Sequence, residues 1–94
     1  MKLRDRDRTE YIEDVVKVRL FASARDAAGT ATDTLDGTTV DEVLHAAQDR
    51  YGERFTEVLA TCRIWVNGDG AELDTTVGPD DELAVLPPVS GGAT

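Results

Sequence analysis

At 94 residues and 40% hydrophobic content, the chain has room for one domain with a modest core, and a deep substrate pocket would consume much of that core. A formal net charge of −9 argues against a phosphate-backbone partner, because nucleic-acid binding rests on clustered Lys and Arg, and it suits docking to a basic surface. No apolar run approaches the roughly 18 residues of a membrane span, the charged start lacks the apolar core of a secretory signal, and the single Cys62 excludes an internal disulfide; together these point to the cytoplasm.

Residues 1–13 alternate charges without an apolar period and are expected to form a mobile leader. Val16, Val18 and Leu20 then alternate with Lys17 and Arg19, which predicts a strand over 15–21 with one buried face. Residues 22–29, with Ala24, Ala27 and Ala28, read as a short helical turn or loop closed by Gly29. Residues 30–35 give a weak strand, expected to return antiparallel at the sheet edge before Asp36-Gly37 turns the chain. Val40, Val43, Leu44, Ala47 and Tyr51 share one helical face. Thr39 and Glu42 have capping-box spacing at its start, and Gly52 stops it. Phe55, Val58 and Leu59 suggest a second short helical segment. Ile64-Trp65-Val66 reads as a strand, reversed by Asn67-Gly68-Asp69-Gly70, with Leu73 in a brief return. Pro79-Asp80-Asp81 leads into a last strand over 82–86. The fold class is α+β: a mixed sheet of four to five strands packed on one main helix, with a flexible C-terminal tail. One domain over 14–88 follows, with 89–94 as the tail.

The body carries no catalytic constellation. His45, on the main helix, lacks Cys, Asp or Glu at metal-ligand spacing, so no metal site is expected. Cys62 reads as a half-buried structural thiol. Asp80, Asp81 and Glu82 are explained by an acidic turn, and Asn67 to Gly70 lacks the remaining positions of a calcium loop. Trp65 reads equally as an interface anchor or as core. Two readings of the tail also stand. Pro87 and Pro88 end the strand, and Gly91 and Gly92 lack a Cβ, so the segment is either a frayed terminus or a slim tail able to enter a narrow slot on another protein. In the second reading the reactive group is a glycine carboxyl, which becomes an electrophile only after adenylation.

Three segments carry a family resemblance: residues 18–29 (Val-Arg-Leu-Phe-Ala-Ser-Ala-Arg-Asp-Ala-Ala-Gly), Val66-Asn67-Gly68, and residues 81–92, ending Leu-Pro-Pro-Val-Ser-Gly-Gly. On these the chain resembles the MoaD/ThiS family of ubiquitin-like sulfur carriers, especially small subunits of molybdopterin synthase, and it is also similar to small archaeal ubiquitin-like modifiers. The resemblance implies a β-grasp (ubiquitin-like) fold and a carrier rather than an enzyme. It implies no cofactor on this chain, an ATP-dependent activating enzyme that adenylates Gly92, and a larger synthase subunit that accepts sulfur from the Gly92 thiocarboxylate. Pro87, Pro88, Val89, Ser90 and Gly91 would line the partner's tail channel, and Phe21, Leu86 and Trp65 would form the docking face.

Activated family members end at the second glycine, whereas Ala93 and Thr94 follow it here. While Ala93 is attached, the Gly92 carbonyl is an amide with no oxygen for ATP to capture. Trimming between Gly92 and Ala93 by a metalloprotease-type peptidase, residues added in cloning, and an inert paralogue are the competing explanations; trimming is the one adopted. Two other functions stand beside sulfur carriage. One is a protein modifier joined through Gly92 to target lysines; the other is a non-covalent β-grasp interaction module.

Overall fold

A computed structural model of the chain describes residues 15–88. In chain order these form β1 (Val15–Leu20), α1 (Ala22–Ala28), β2 (Thr32–Asp36), α2 (Val40–Tyr51), α3 (Glu53–Leu59), β3 (Arg63–Val66), β4 (Asp69–Gly70) and β5 (Glu82–Leu86). The five strands make one mixed sheet in the order β2-β1-β5-β3-β4. β1 and β5 run parallel and the other neighbours antiparallel, which is the β-grasp arrangement that the resemblance implies. The leader over 1–13 and the tail over 89–94 lie outside the described residues.

The alternation in β1 does what its period requires: Val16, Val18 and Leu20 are buried, while Lys17 and Arg19 face solvent on the other side of the sheet. Leu83 and Val85 of β5 and Leu35 of β2 join the same inner layer. Over that layer lies the apolar face of α2, with Val40, Val43, Leu44 and Ala47 buried. Phe55 of α3 is fully buried and meets the Tyr51 ring edge-on, centroids 5.1 Å apart.

The start of α2 is fully partnered. Thr39 Oγ1 accepts from the Glu42 amide at 3.2 Å, as its spacing predicts, and the amides of Val40 and Asp41 donate to the carbonyls of Thr75 and Leu73. The Glu42 carboxylate reaches back one residue further than the usual box, to the Thr38 amide at 2.8 Å and the Thr38 hydroxyl at 2.9 Å. Those bonds, the amide foremost, lower its pKa despite the opposing effect of burial.

Three expectations are revised. Residues 22–28 are a seven-residue helix, α1, rather than a helical turn or loop, so it joins α2 and the expected short segment α3 as a third helix. The return after β3 is Asp69–Gly70, because Asn67-Gly68 alone makes the tight turn, with both residues at positive φ. Leu73 is not in that return; it sits in a loop, 56% exposed, where its carbonyl caps α2. The same loop contributes Val77 to the core.

Candidate functional site

β5 occupies the middle of the sheet and delivers the chain to its tail. Its pairing with β3 ends at Leu86 opposite Arg63. Pro87, half-buried, and Pro88, exposed, follow with no amide hydrogen to extend the ladder. The described chain therefore leaves the ladder past the Leu86 end of β5, at Pro87 and Pro88. Val89, Ser90, Gly91, Gly92 and Ala93 lie outside the described residues, so the predicted channel, activation and processing positions are present here only through their root at Pro87 and Pro88.

Beside that root, the solvent face of the sheet carries a shallow depression of about 350 Å³. It is lined by Arg19, Phe21, Trp65, Glu82, Ala84 and Leu86, with Gly68 at its rim. Strand register explains the grouping. Arg19, Ala84 and Trp65 share one rung across β1, β5 and β3, and Leu86 lies two residues along β5 on the same side. Phe21 follows β1, tied to β5 through its amide on the Val85 carbonyl at 3.3 Å. Ala22 then adopts φ +50°, an unusual value for a residue with a Cβ, as the chain swings from the strand into α1.

All three residues named for a docking face therefore line one depression. Phe21 is 37% and Trp65 40% exposed, which settles the ambiguity over Trp65 in favour of a surface position. Leu86 is half-buried. Sequence reasoning missed Arg19 and Ala84 as lining residues, although the β1 alternation already placed Arg19 on the solvent side. The Arg19 guanidinium lies 5.7 Å from the Phe21 ring centre and 3.6 Å from Glu82, so the aromatic floor carries a polarised rim.

The other candidates separate from this face. His45 is exposed on α2, 3.6 Å from Asp41 one turn earlier. Cys62 is half-buried and donates to the Val58 carbonyl at 3.3 Å. Burial pushes its thiol pKa up against the smaller opposing effect of Thr61, which disfavours the thiolate a nucleophile needs. Asn67 uses its side chain internally: Nδ2 donates to Asp81 at 2.8 Å and Oδ1 accepts from the Glu82 amide at 2.9 Å. Asp81 in turn accepts from the Gly78 amide at 2.9 Å. Asn67 and Asp81 thus fix the approach to β5 rather than offering ligands. Among the described residues no three His, Cys, Asp or Glu side chains are grouped to hold a metal, and no helix is long and apolar enough to cross a membrane.

Comparison with known proteins bears on the whole of this arrangement. The model of the ThiS family matches residues 18–92. A molybdopterin synthase sulfur carrier subunit from Mycosarcoma maydis is 35% identical over 86 residues, covering 82% of this chain and 92% of that protein. The solution structure of small archaeal modifier protein 1 from Methanosarcina acetivorans is similar at TM-score 0.75 and 34% identity, covering 85% of this chain and 98% of the other. A chain in the complex of subunits 1 and 2 of molybdopterin-converting factor from Helicobacter pylori is similar at TM-score 0.64 and 26% identity, covering 83% and 99%.

Proposed function

The chain belongs to the ThiS family, and from that premise we propose that it is a ubiquitin-like sulfur carrier of the molybdopterin synthase type. The observation that carries this reading is the extent of the family match, which runs through the sheet and stops at Gly92. Gly92 is the residue whose carboxyl does the chemistry. Removal of Ala93 and Thr94 frees it; an activating enzyme then joins it to the α-phosphorus of ATP with loss of pyrophosphate. A sulfide-level nucleophile attacks the acyl carbon, AMP leaves, and a thiocarboxylate remains. The chain itself needs no cofactor, acid or base, in keeping with relatives that are carrier subunits and modifiers rather than catalysts.

The receiving protein is a larger synthase subunit, a role supported by the two-subunit complex of the Helicobacter pylori factor. The four residues from Val89 to Gly92 extend by at most about 14 Å, so the acceptor's slot opens close to the sheet face and the body docks beside it. Phe21, Trp65 and Leu86 are the contacts we assign to that docking. We place the carrier in the cytoplasm, where the unpaired Cys62 stays reduced.

The intact mass of the untagged protein from its own cells tests the reading. A species ending at Gly92, as carboxylate or thiocarboxylate, is the expected result; recovery of only the full chain through Thr94 would overturn it. The likeness to the archaeal modifier favours a second reading, in which Gly92 is joined to target lysines. That role would show as larger species that thiol reductants leave intact.

A further inference from the structure

Asn67 is the only asparagine of the chain, and glycine follows it in the exposed turn between β3 and β4. Asparagine before glycine is the pairing in which a backbone amide most readily attacks the side-chain carboxamide, because no Cβ crowds the attacking nitrogen. The turn leaves that nitrogen accessible: a Cβ built on Gly68 would meet nothing within 4 Å. The carboxamide, by contrast, is held at both of its polar atoms. Its Nδ2 donates to Asp81 at 2.8 Å and its Oδ1 accepts from the Glu82 amide at 2.9 Å. Asp81 is itself held by the Gly78 amide at 2.9 Å, so the carboxamide is clasped by a braced segment at the entry to β5.

We propose that Asn67 is a site of spontaneous deamidation, and that the clasp from Asp81 and Glu82 suppresses the reaction in the folded protein. In the first step the Gly68 amide gives its proton to solvent base and its nitrogen bonds to Asn67 Cγ. The Cγ–Nδ2 bond breaks, ammonia leaves, and a cyclic imide remains. Water then adds to either imide carbonyl and opens the ring, leaving aspartyl or isoaspartyl at position 67. Water is consumed and ammonia released, with nothing oxidised or reduced. Ring closure makes Cγ tetrahedral and expels Nδ2, so the planar carboxamide cannot keep both bonds through it. Local opening of the clasp has to come first. The product cannot restore the clasp. An aspartyl carboxylate would put negative charge where Nδ2 now faces Asp81, and like charges at that range repel. An isoaspartyl link adds a backbone carbon to a tight turn whose register sets Val66 opposite Asp69 and Trp65 opposite Gly70. Each conversion therefore loosens the join of β3, β4 and β5 permanently, whatever the chain's function.

The test incubates the full-length protein in mildly alkaline buffer, both native and in guanidinium above its unfolding transition. Peptide mapping assigns the mass gain of amide loss to Asn67 rather than to Gln48, and enzymatic methylation counts the isoaspartyl fraction. The unfolded chain should lose the Asn67 amide at least about tenfold faster than the folded protein. Asp81→Ala, which removes the acceptor of Nδ2, should speed the folded rate by about fivefold. That faster rate should stay flat across guanidinium concentrations below the transition, because release of a local clasp exposes little surface. A rate that climbs with denaturant would mean that the variant reacts through global unfolding, and overturns the role of the clasp. Equal rates in the folded and unfolded unaltered protein also overturn it. So does a faster folded rate, the sign expected if the Glu82 amide on Oδ1 steadied the oxyanion of ring closure. Absence of conversion in the unfolded chain removes the site altogether. The ratio of rates in the unaltered protein decides the matter even if Asp81→Ala fails to fold.

Discussion

The Tyr51 hydroxyl donates to a carboxylate oxygen of Asp33, and the Arg50 guanidinium reaches both oxygens of the same carboxylate at 3.1 Å. Three side chains thus fasten the last turn of α2 to the edge strand β2. Burial raises the Asp33 pKa, but the bonds from Tyr51, the Thr34 amide and Arg50 together outweigh it and hold the carboxyl below its usual range. Because the folded pKa lies below the unfolded one, the stabilisation is fully present above about pH 4 and is lost as pH falls through the folded value. Asp33→Asn should flatten the acid limb of the stability curve. Tyr51→Phe should cost about 1 kcal/mol near neutrality. Urea unfolding across pH checks both.

Gly37 tests how tightly the turn into α2 is built. It has φ +152°, and a Cβ there would sit 2.7 Å from both Val43 Cγ2 and the Val43 backbone nitrogen. Neither atom is a flexible side-chain end that could swing away. Gly37→Ala should therefore destabilise the fold by at least about 2 kcal/mol, seen as a lower urea midpoint at unchanged slope.

Asn67→Ala should remove two bonds that fix the entry to β5 and leave an alanine at φ +54°. The expected loss is about 1–2 kcal/mol. Amide hydrogen exchange should quicken first around residues 78–82, which those bonds hold.

Trp65 and Phe55 should divide binding from folding. Trp65→Ala removes an exposed aromatic from the depression and should weaken binding to the larger synthase subunit by about 30-fold, or ~2 kcal/mol. Phe55→Ala empties a fully buried site and should cost about 3–5 kcal/mol of folding stability. Calorimetric binding and thermal melts on both variants distinguish the two losses.

A chain ending at Gly92 should support pyrophosphate exchange with ATP on its activating enzyme, while the chain through Thr94 should not until trimmed. Gly92→Ala in the shortened form should sharply reduce thiocarboxylate yield, because a Cβ widens the tail where the enzyme's walls close. Intact mass after reaction with a sulfur donor reads the outcome.

Much of the fold was legible because its signals are local. The alternation in β1, the shared face of Val40, Val43, Leu44 and Ala47, and the Thr39 cap each depend on neighbours within one or two turns. Val77 was not legible: it lies in an aperiodic loop, held by its amide on the distant Thr38 carbonyl and by the bridge of Thr76 to Thr39. α1 was read only as a turn because seven alanine-rich residues are too few to establish a helical period. In Arg63-Ile64-Trp65-Val66, three of four residues are apolar, so alternation alone could not orient Trp65; pairing with Ala84 does.

The sheet order has a consequence for biosynthesis. β5, at its centre, is the last of the five strands to be made, and β1, its parallel neighbour, the first. An unfinished chain therefore has two half-sheets and no seam to join them, so long-range closure waits for the C-terminal segment. The strand that completes the body is also the one that leads into Pro87, Pro88 and the residues the carrier reading puts to use. On the proposed carrier reading, an activating enzyme would then meet a C-terminus only on a body that has already closed.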